Sequence, residues 1–301
     1  MTDINIVKSP LNYTGAKHRL LPQILPLLPT TSCFVDLFAG GATVAVNIKA
    51  EHIIINDVNT AVVGLFEWMH NKDPKEIISD FKNVIERLGL SDTSTNSYDH
   101  YSCDSSAGLA KYNKEAFLRL RAEYNEDKDP LLLYALIVYA FNNQVRFNSS
   151  GGYNLPVGKR DFNNSMQEKL VSFVTELNAK TKVSFTNQDF RSLDLSTLPK
   201  DTLIYCDPPY LITTASYNES GGWTETDEHE LLAFLEKVDS LGLKFALSNV
   251  LEAKNQENAI LKNWVQDKGF TCHALEKSYA NSNYQRKNKT SSSLEVLITN
   301  A

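Results

Sequence analysis

The chain has 301 residues, 42% of them hydrophobic and 22% charged, and a formal net charge of −6. That is the composition of an ordinary soluble globular protein, long enough for one large domain or two smaller ones. An acidic balance does not announce nucleic-acid binding, which is left to local basic patches.

No apolar run approaches the roughly 20 residues that span a bilayer. Met1-Thr2-Asp3-Ile4-Asn5 lacks the charged and apolar layers of a signal peptide. Cys33, Cys103, Cys206 and Cys272 lie far apart with no metal-ligand spacing. A reduced, cytoplasmic protein with no metal site and no membrane association is expected.

In chain order, Leu11-Asn12-Tyr13-Thr14-Gly15-Ala16-Lys17-His18-Arg19 comes first, placing an aromatic, a glycine and a lysine in one loop before an apolar helix. Tyr13 could stack on a flat base and Lys17 could meet an acid, although a surface loop with a capping lysine also fits. Residues 33–38 then read as a short apolar strand carrying Asp36, followed at once by the turn Ala39-Gly40-Gly41 and a helix to about residue 50. Residues 52–57 form a second buried strand ending on Asp57. Strand, glycine turn, helix and a strand with a terminal acid make up the mononucleotide-binding half of a doubly wound α/β sheet. The turn lacks the third glycine of the dinucleotide fingerprint and the Gly-Lys-Ser/Thr of a phosphate loop. Asp57 is placed to accept from ribose hydroxyls, with a helix N-cap as the alternative.

The alternation breaks between residues 59 and 164, where helices are expected over 60–70, 74–88, 114–124 and 130–141. A Ser/Asp-rich loop, 91–106, interrupts them, and a Gly/Asn-rich segment, 146–160, follows them. Strands resume at 182–186, 202–206, 243–247, 270–275 and 294–299, with helices at 227–238 and 257–267. The spacing divides the chain into a catalytic domain, 1–58 with 165–301, and an inserted domain, 59–164, fit for reading a substrate or for capping the sheet. The fourth strand stops on Asp207-Pro208-Pro209-Tyr210. Two prolines end a ladder and hold a rigid turn, so Asp207 is presented at the carboxyl edge of a parallel sheet.

"NYTGAK", "VDLFAGGATV", "INDVN", "VRFNSSGGYNLPVG", "NQDF" and "CDPPY" stand in one order along nearly the whole chain. In that order they resemble the Dam-type, alpha-group (D12 class) adenine-N6-specific DNA methyltransferases. The resemblance implies an α/β fold: a doubly wound, Rossmann-like S-adenosylmethionine-dependent methyltransferase sheet with a helical target-recognition insert. The implied activity is transfer of a methyl group from S-adenosyl-L-methionine to adenine N6 at a short site in double-stranded DNA, in a restriction-modification, phage or solitary setting. A cognate restriction endonuclease would then act separately, and no oligomer is required. Carried over by position, Asp207, Pro208, Pro209 and Tyr210 are catalytic. Tyr13, Lys17, Asp36, Phe38, Ala39, Gly40, Asp57, Asp189, Phe190 and Asp207 bind the cofactor. Arg146, Asn148, Tyr153, Asn154 and Pro156 belong to a DNA-reading hairpin.

Within that reading, Asp207 and the Pro208 carbonyl accept the two N–H bonds of the target amine, and Tyr210 stacks on a base flipped from the duplex. Arg146 reads guanine in the major groove, and Lys159 and Arg160 contact phosphates. Arg286 and Lys287, in a second basic run with Lys277 and Lys289, clamp the backbone or face solvent. Two other readings are a related enzyme acting on RNA or on protein glutamine, and a non-catalytic DNA-binding module. The intact Asp207-Pro208-Pro209-Tyr210 argues against the second.

Overall fold

A computed structural model describes residues 5–13, 15, 17–212, 222–253, 255–276 and 293–300. The regular elements in chain order are α1 (Leu21–Ile24), β1 (Cys33–Asp36), α2 (Thr43–Asn47), β2 (His52–Asn56), α3 (Thr60–Met69), α4 (Pro74–Leu88), α5 (Ala110–Asp127), α6 (Pro130–Tyr139) and α7 (Asn164–Asn178). They continue with β3 (Lys182–Thr186), β4 (Leu203–Cys206), α8 (Glu225–Ser240), β5 (Lys244–Ala253), β6 (Gln256–Glu257), α9 (Ala259–Lys268), β7 (Thr271–Leu275) and β8 (Leu294–Thr299). Contacts divide the chain into two compact units: residues 1–6, 17–58 and 180–301, and residues 7–16 and 59–179.

The first unit holds one sheet in the order β3-β2-β1-β4-β5-β8-β7, with β6 paired to β5. Strands β3, β2, β1, β4 and β5 run parallel, while β8 is antiparallel to both β5 and β7. The chain leaves β1 toward β2 and β3 on one side, then returns to β4 and β5 on the other, so the strand order reverses between β1 and β4. Ligands of doubly wound sheets bind beside the carboxyl ends at such a reversal. Strands β1 and β4 are buried at every position, as expected of a sheet covered on both faces, and carry Cys33 and Cys206 into the core. Leu231, Leu235 and Val238 of α8 and Leu261 of α9 pack with Ile204, Phe245 and Leu247 of the sheet. Each such side chain contributes about 1.5–3 kcal/mol on burial.

In the first unit, two differences from the sequence reading have a clear local cause. Helix α2 ends at Asn47, not near residue 50; Ile48 is already extended, with φ −81° and ψ 151°. Strand β5 continues to Ala253 because β8 pairs with it as far as Glu252.

The second unit is helical. Helix α6 is apolar all round, and every residue from Leu132 to Tyr139 is buried, which makes it the central helix of this unit. Asp129 caps it by accepting from the N–H groups of Leu131 and Leu132, and Pro130 sits in the first turn. Helix α4 ends at Gly89 in the left-handed region (φ 72°), as a C-terminal cap requires. The unit runs beyond residue 164, where the insert was expected to end, because α7 packs here. Its buried residues Met166, Leu170, Phe173, Val174 and Leu177 lie on one helical face, and the Phe173 ring packs at a tilt against Phe66 of α3, 5.4 Å between centroids.

Candidate functional site

Four strand ends in the first unit carry the residues singled out from the sequence. β1 ends on Asp36, β2 on Asn56 before Asp57, β3 just before Asp189-Phe190, and β4 on Cys206 before Asp207. The parallel registry brings Asp36 opposite Tyr205 on one side and Ile55 on the other.

At the end of β4, Lys17 Nζ donates to Asp207 Oδ1 and Oδ2, at 2.7 Å each, and to the Tyr210 hydroxyl at 2.6 Å. Tyr210 in turn donates to Asp207 Oδ1 at 2.9 Å, and the ammonium lies 5.1 Å from the tyrosine ring centroid. Lys17 is 5% exposed and Asp207 20%. Burial raises the Asp207 carboxyl above the ordinary aspartate value, and the Lys17 charge opposes that shift. Pro208 is buried. Residues 17, 207 and 210 therefore form one hydrogen-bonded group, which the sequence could only present as two separate motifs.

On the other side of the reversal, Gly40 (φ 49°) and Ala42 (φ 51°) take the chain through a left-handed turn. Asp57 Oδ2 accepts from the Gly40 N–H at 2.8 Å. The N-cap of α3 is Asn59, which accepts from the Val62 N–H, so the capping alternative for Asp57 is filled by its neighbour. Asp36 is 1% exposed and faces α2, where its Oδ2 accepts from the Ala45 N–H at 3.1 Å. That bond serves a helix whose own N-cap, Ala42, offers no side-chain acceptor. Burial pushes the Asp36 carboxyl up to about 8; the Ala45 bond lowers it, and the charges of Asp207 and Asp57 raise it further.

Phe190 is 2% exposed and is packed by Phe38 (5.6 Å between centroids), Trp223 (6.0 Å) and Phe234 (5.9 Å), with the Arg191 guanidinium 4.4 Å from its ring. Arg191 also binds Asp189, together with Asp227 and Glu230 of α8. Trp223, not anticipated from the sequence, meets Phe38 edge-on at 5.9 Å, and its indole donates to buried Glu228 at 2.7 Å. An indole directly after Gly221-Gly222, close behind Asp207-Pro208-Pro209-Tyr210, was the available signal. Tyr13 is half-buried and falls in the second unit.

The segment 146–160 folds back on itself in the second unit, with bridges Phe147↔Tyr153 and Ala140↔Val157. Asn148 closes its tip, its Oδ1 accepting from the N–H groups of Ser150 and Gly152. Tyr153 is 2% exposed; its hydroxyl donates to the Gln144 carbonyl and its N–H to Asn125. Its ring therefore supports the hairpin from inside and does not face outward. Arg146 donates through Nε to Asn154 Oδ1 at 2.8 Å, so these two act as a pair. Pro156 is exposed, and its carbonyl accepts from the Phe141 N–H. Gly158 permits the close approach to α6: a Cβ there would lie 2.3 Å from the Ala140 carbonyl oxygen. Lys159 and Arg160 are exposed and reach the Ser/Asp-rich loop, through the Ser106 carbonyl and the Tyr98 hydroxyl. Beside them Phe141 is 51% exposed and is followed by Asn142 and Asn143, both at positive φ (56° and 52°). An aromatic held out on strained backbone is a candidate contact that the sequence reading missed. Arg286 and Lys287 lie outside the described residues.

The largely parallel sheet, with an acid and two prolines at its reversal, defines the class: a doubly wound, Rossmann-like α/β protein. The model of the D12 class N6 adenine-specific DNA methyltransferase family matches residues 13–281, and the chain belongs to that family. Modification methylase StsI from Streptococcus sanguinis is 39% identical over 98% of this chain and 43% of its own length. Type II methyltransferase M.FokI from Planomicrobium okeanokoites is 42% identical over the same shares of the two chains. A DNA adenine methylase from Salmonella typhi is 23% identical over 85% of this chain and 83% of its own. The chain thus spans less than half the length of the first two relatives.

Proposed function

We propose that this protein is a site-specific DNA adenine-N6 methyltransferase that transfers the methyl group of S-adenosylmethionine to adenine in a short double-stranded site. The observation that carries this reading is the placement of Asp207-Pro208-Pro209-Tyr210 at the carboxyl end of β4, beside β1 at the reversal, with Lys17 on the acid. The groups around the turn suit the cofactor's chemistry. Asp57 and Asp189 are acceptors for hydroxyl and amino donors, Phe38 and Trp223 offer aromatic surface, and Asp57 and Asp207 are carboxylates suited to a cationic ligand. When bound, the cofactor supplies an electrophilic methyl on a sulfonium.

The rest is done by the chain. Adenine N6 is a poor nucleophile because its lone pair is delocalised into the ring. Asp207 Oδ and the Pro208 carbonyl accept its two N–H bonds and draw the nitrogen toward tetrahedral geometry. Each carboxylate oxygen has more than one lone pair, so the bonds from Lys17 leave acceptor sites for the amine. Lys17 fixes the plane of the carboxylate beforehand, which is preorganisation. After transfer, N6 must lose a proton, and Asp207, its affinity for protons raised by burial, is the group in contact to receive it. Tyr210 is held by its hydroxyl, and its ring would stack on the extruded base.

Arg146 with Asn154, Asn148 and Pro156 read the site from the hairpin, Phe141 stacks on bases, and Lys159 and Arg160 bind phosphates. Relatives named modification methylases support a restriction-modification setting, with an endonuclease acting separately. The test is transfer of tritium from labelled S-adenosylmethionine to duplex DNA, RNA and protein in parallel. Label in N6-methyladenine of duplex DNA is expected. Label confined to RNA or protein, or none, overturns the reading.

A further inference from the structure

Asn56 is 1% exposed at the end of β2 and is bonded on every side. Its Nδ2 donates to the Leu37 carbonyl at 2.9 Å and the Gln188 carbonyl at 3.0 Å. Its Oδ1 accepts from Thr186 Oγ1 at 2.9 Å and the Gln188 N–H at 3.1 Å. Its backbone carbonyl accepts from the Ala39 N–H at 2.9 Å. The amide orientation is fixed by its partners, since a flip would set donor against donor at Gln188 and acceptor against carbonyl at Leu37.

The placement of these partners carries the inference. Leu37 immediately precedes Phe38-Ala39-Gly40, Gln188 immediately precedes Asp189-Phe190, and Asp57 follows Asn56 itself. One buried amide thus ties together the loops after β1, β2 and β3. On the cofactor reading given above, on which this rests, those loops meet the ribose at Asp57 and the adenine at Asp189-Phe190. A single rigid ligand needs both ends met at one spacing. We propose that Asn56 is a positioning residue for the cofactor, setting the distance between the glycine turn, Asp57 and the Asp189-Phe190 segment. Side chains fixed before binding lose less freedom on binding, and that difference appears as ligand affinity.

The test is Asn56→Asp, nearly equal in volume but placing a carboxylate oxygen against two carbonyls. S-adenosylmethionine affinity is measured by calorimetry, duplex affinity by anisotropy, and folding by circular dichroism. The expected result is a cofactor Kd weakened at least tenfold and a raised cofactor KM. Duplex affinity and kcat at saturating cofactor should stay within about threefold of wild type. A general structural defect would lower all of these together and would overturn the proposal, as would a folded variant with unchanged cofactor affinity. If Asn56→Asp does not fold, Asn56→Ser, able to donate one of the two bonds, carries the same comparison with the same criteria. Wild-type protein that binds no S-adenosylmethionine would instead refute the cofactor reading itself.

Discussion

Lys17 Nζ stands 2.7 Å from both carboxylate oxygens of Asp207, across 190 positions of sequence. The pair joins the N-terminal motif to the end of β4 and leaves neither charge unpaired. A lone carboxylate at such a depth would be neutralised by its raised proton affinity; the ammonium opposes this and keeps an acceptor available.

Replacing Asp207 should therefore act on both chemistry and stability. Asp207→Asn retains one oxygen acceptor but loses the charge, and methyl transfer should fall by about 10²-fold or more. Asp207→Ala should abolish it. Because Lys17 would be left buried without its anion, Asp207→Ala should also lower stability by up to about 3–5 kcal/mol. Single-turnover assays together with urea unfolding check both effects. Substantial turnover by Asp207→Ala would remove this residue from the mechanism.

Asp36 predicts a dependence of stability on pH. Its carboxyl is pushed up to about 8 in the fold and is ordinary in the unfolded chain. Between those two values the native state holds a proton that the unfolded state has released. Stability contributed by this group is then full at low pH and declines as pH rises toward about 8. Asp36→Asn keeps an oxygen to accept from Ala45 but cannot titrate, so unfolding free energy between pH 5 and 8 should be flatter than in wild type. Parallel curves for the two proteins would contradict the assignment.

Tyr134 is fully buried in the second unit, and its hydroxyl has no hydrogen-bond partner among the described residues. Phe81 and Phe162 meet its ring edge-on at 5.4 and 6.2 Å, so the ring packs without help from the oxygen. Tyr134→Phe removes an unsatisfied group and should raise stability by about 1–2 kcal/mol. A lower urea midpoint for the variant would show that the hydroxyl is satisfied after all.

The sheet was legible because buried parallel strands are short apolar runs, and those at 182–186 and 294–299 are found with the expected limits. Helix α7 is equally present in the spacing of Met166, Leu170, Phe173, Val174 and Leu177, but that face is recognisable as one only once Phe66 of α3 is seen to pack against it. The Asp207-Pro208-Pro209-Tyr210 segment and the glycine turn could be read locally. What Lys17 and Asn56 bind, and the rings Trp223 meets, could not, since those partners lie far away in sequence. Tyr153 and Pro156 show the same limit within one hairpin: the motif names both, but only burial distinguishes the inward ring from the exposed proline.

Specificity should be separable from chemistry within the hairpin. Arg146 is held by Asn154, and a guanidinium so oriented can make two bonds to a guanine edge. Arg146→Ala should cost about 1–3 kcal/mol of discrimination at one base pair, so methylation of sites altered there should fall less than methylation of the intact site. Asn154→Ala, which frees the guanidinium, should weaken the same discrimination by a smaller amount. Lys159 is the control. If it contacts phosphate, as proposed, its loss should weaken all sequences alike and lower the salt slope by about one. The deciding quantity is the ratio of rates on intact and singly substituted duplexes. If Arg146→Ala leaves that ratio unchanged while slowing every substrate, Arg146 is a backbone contact, and base reading passes to Asn148 or Asn154.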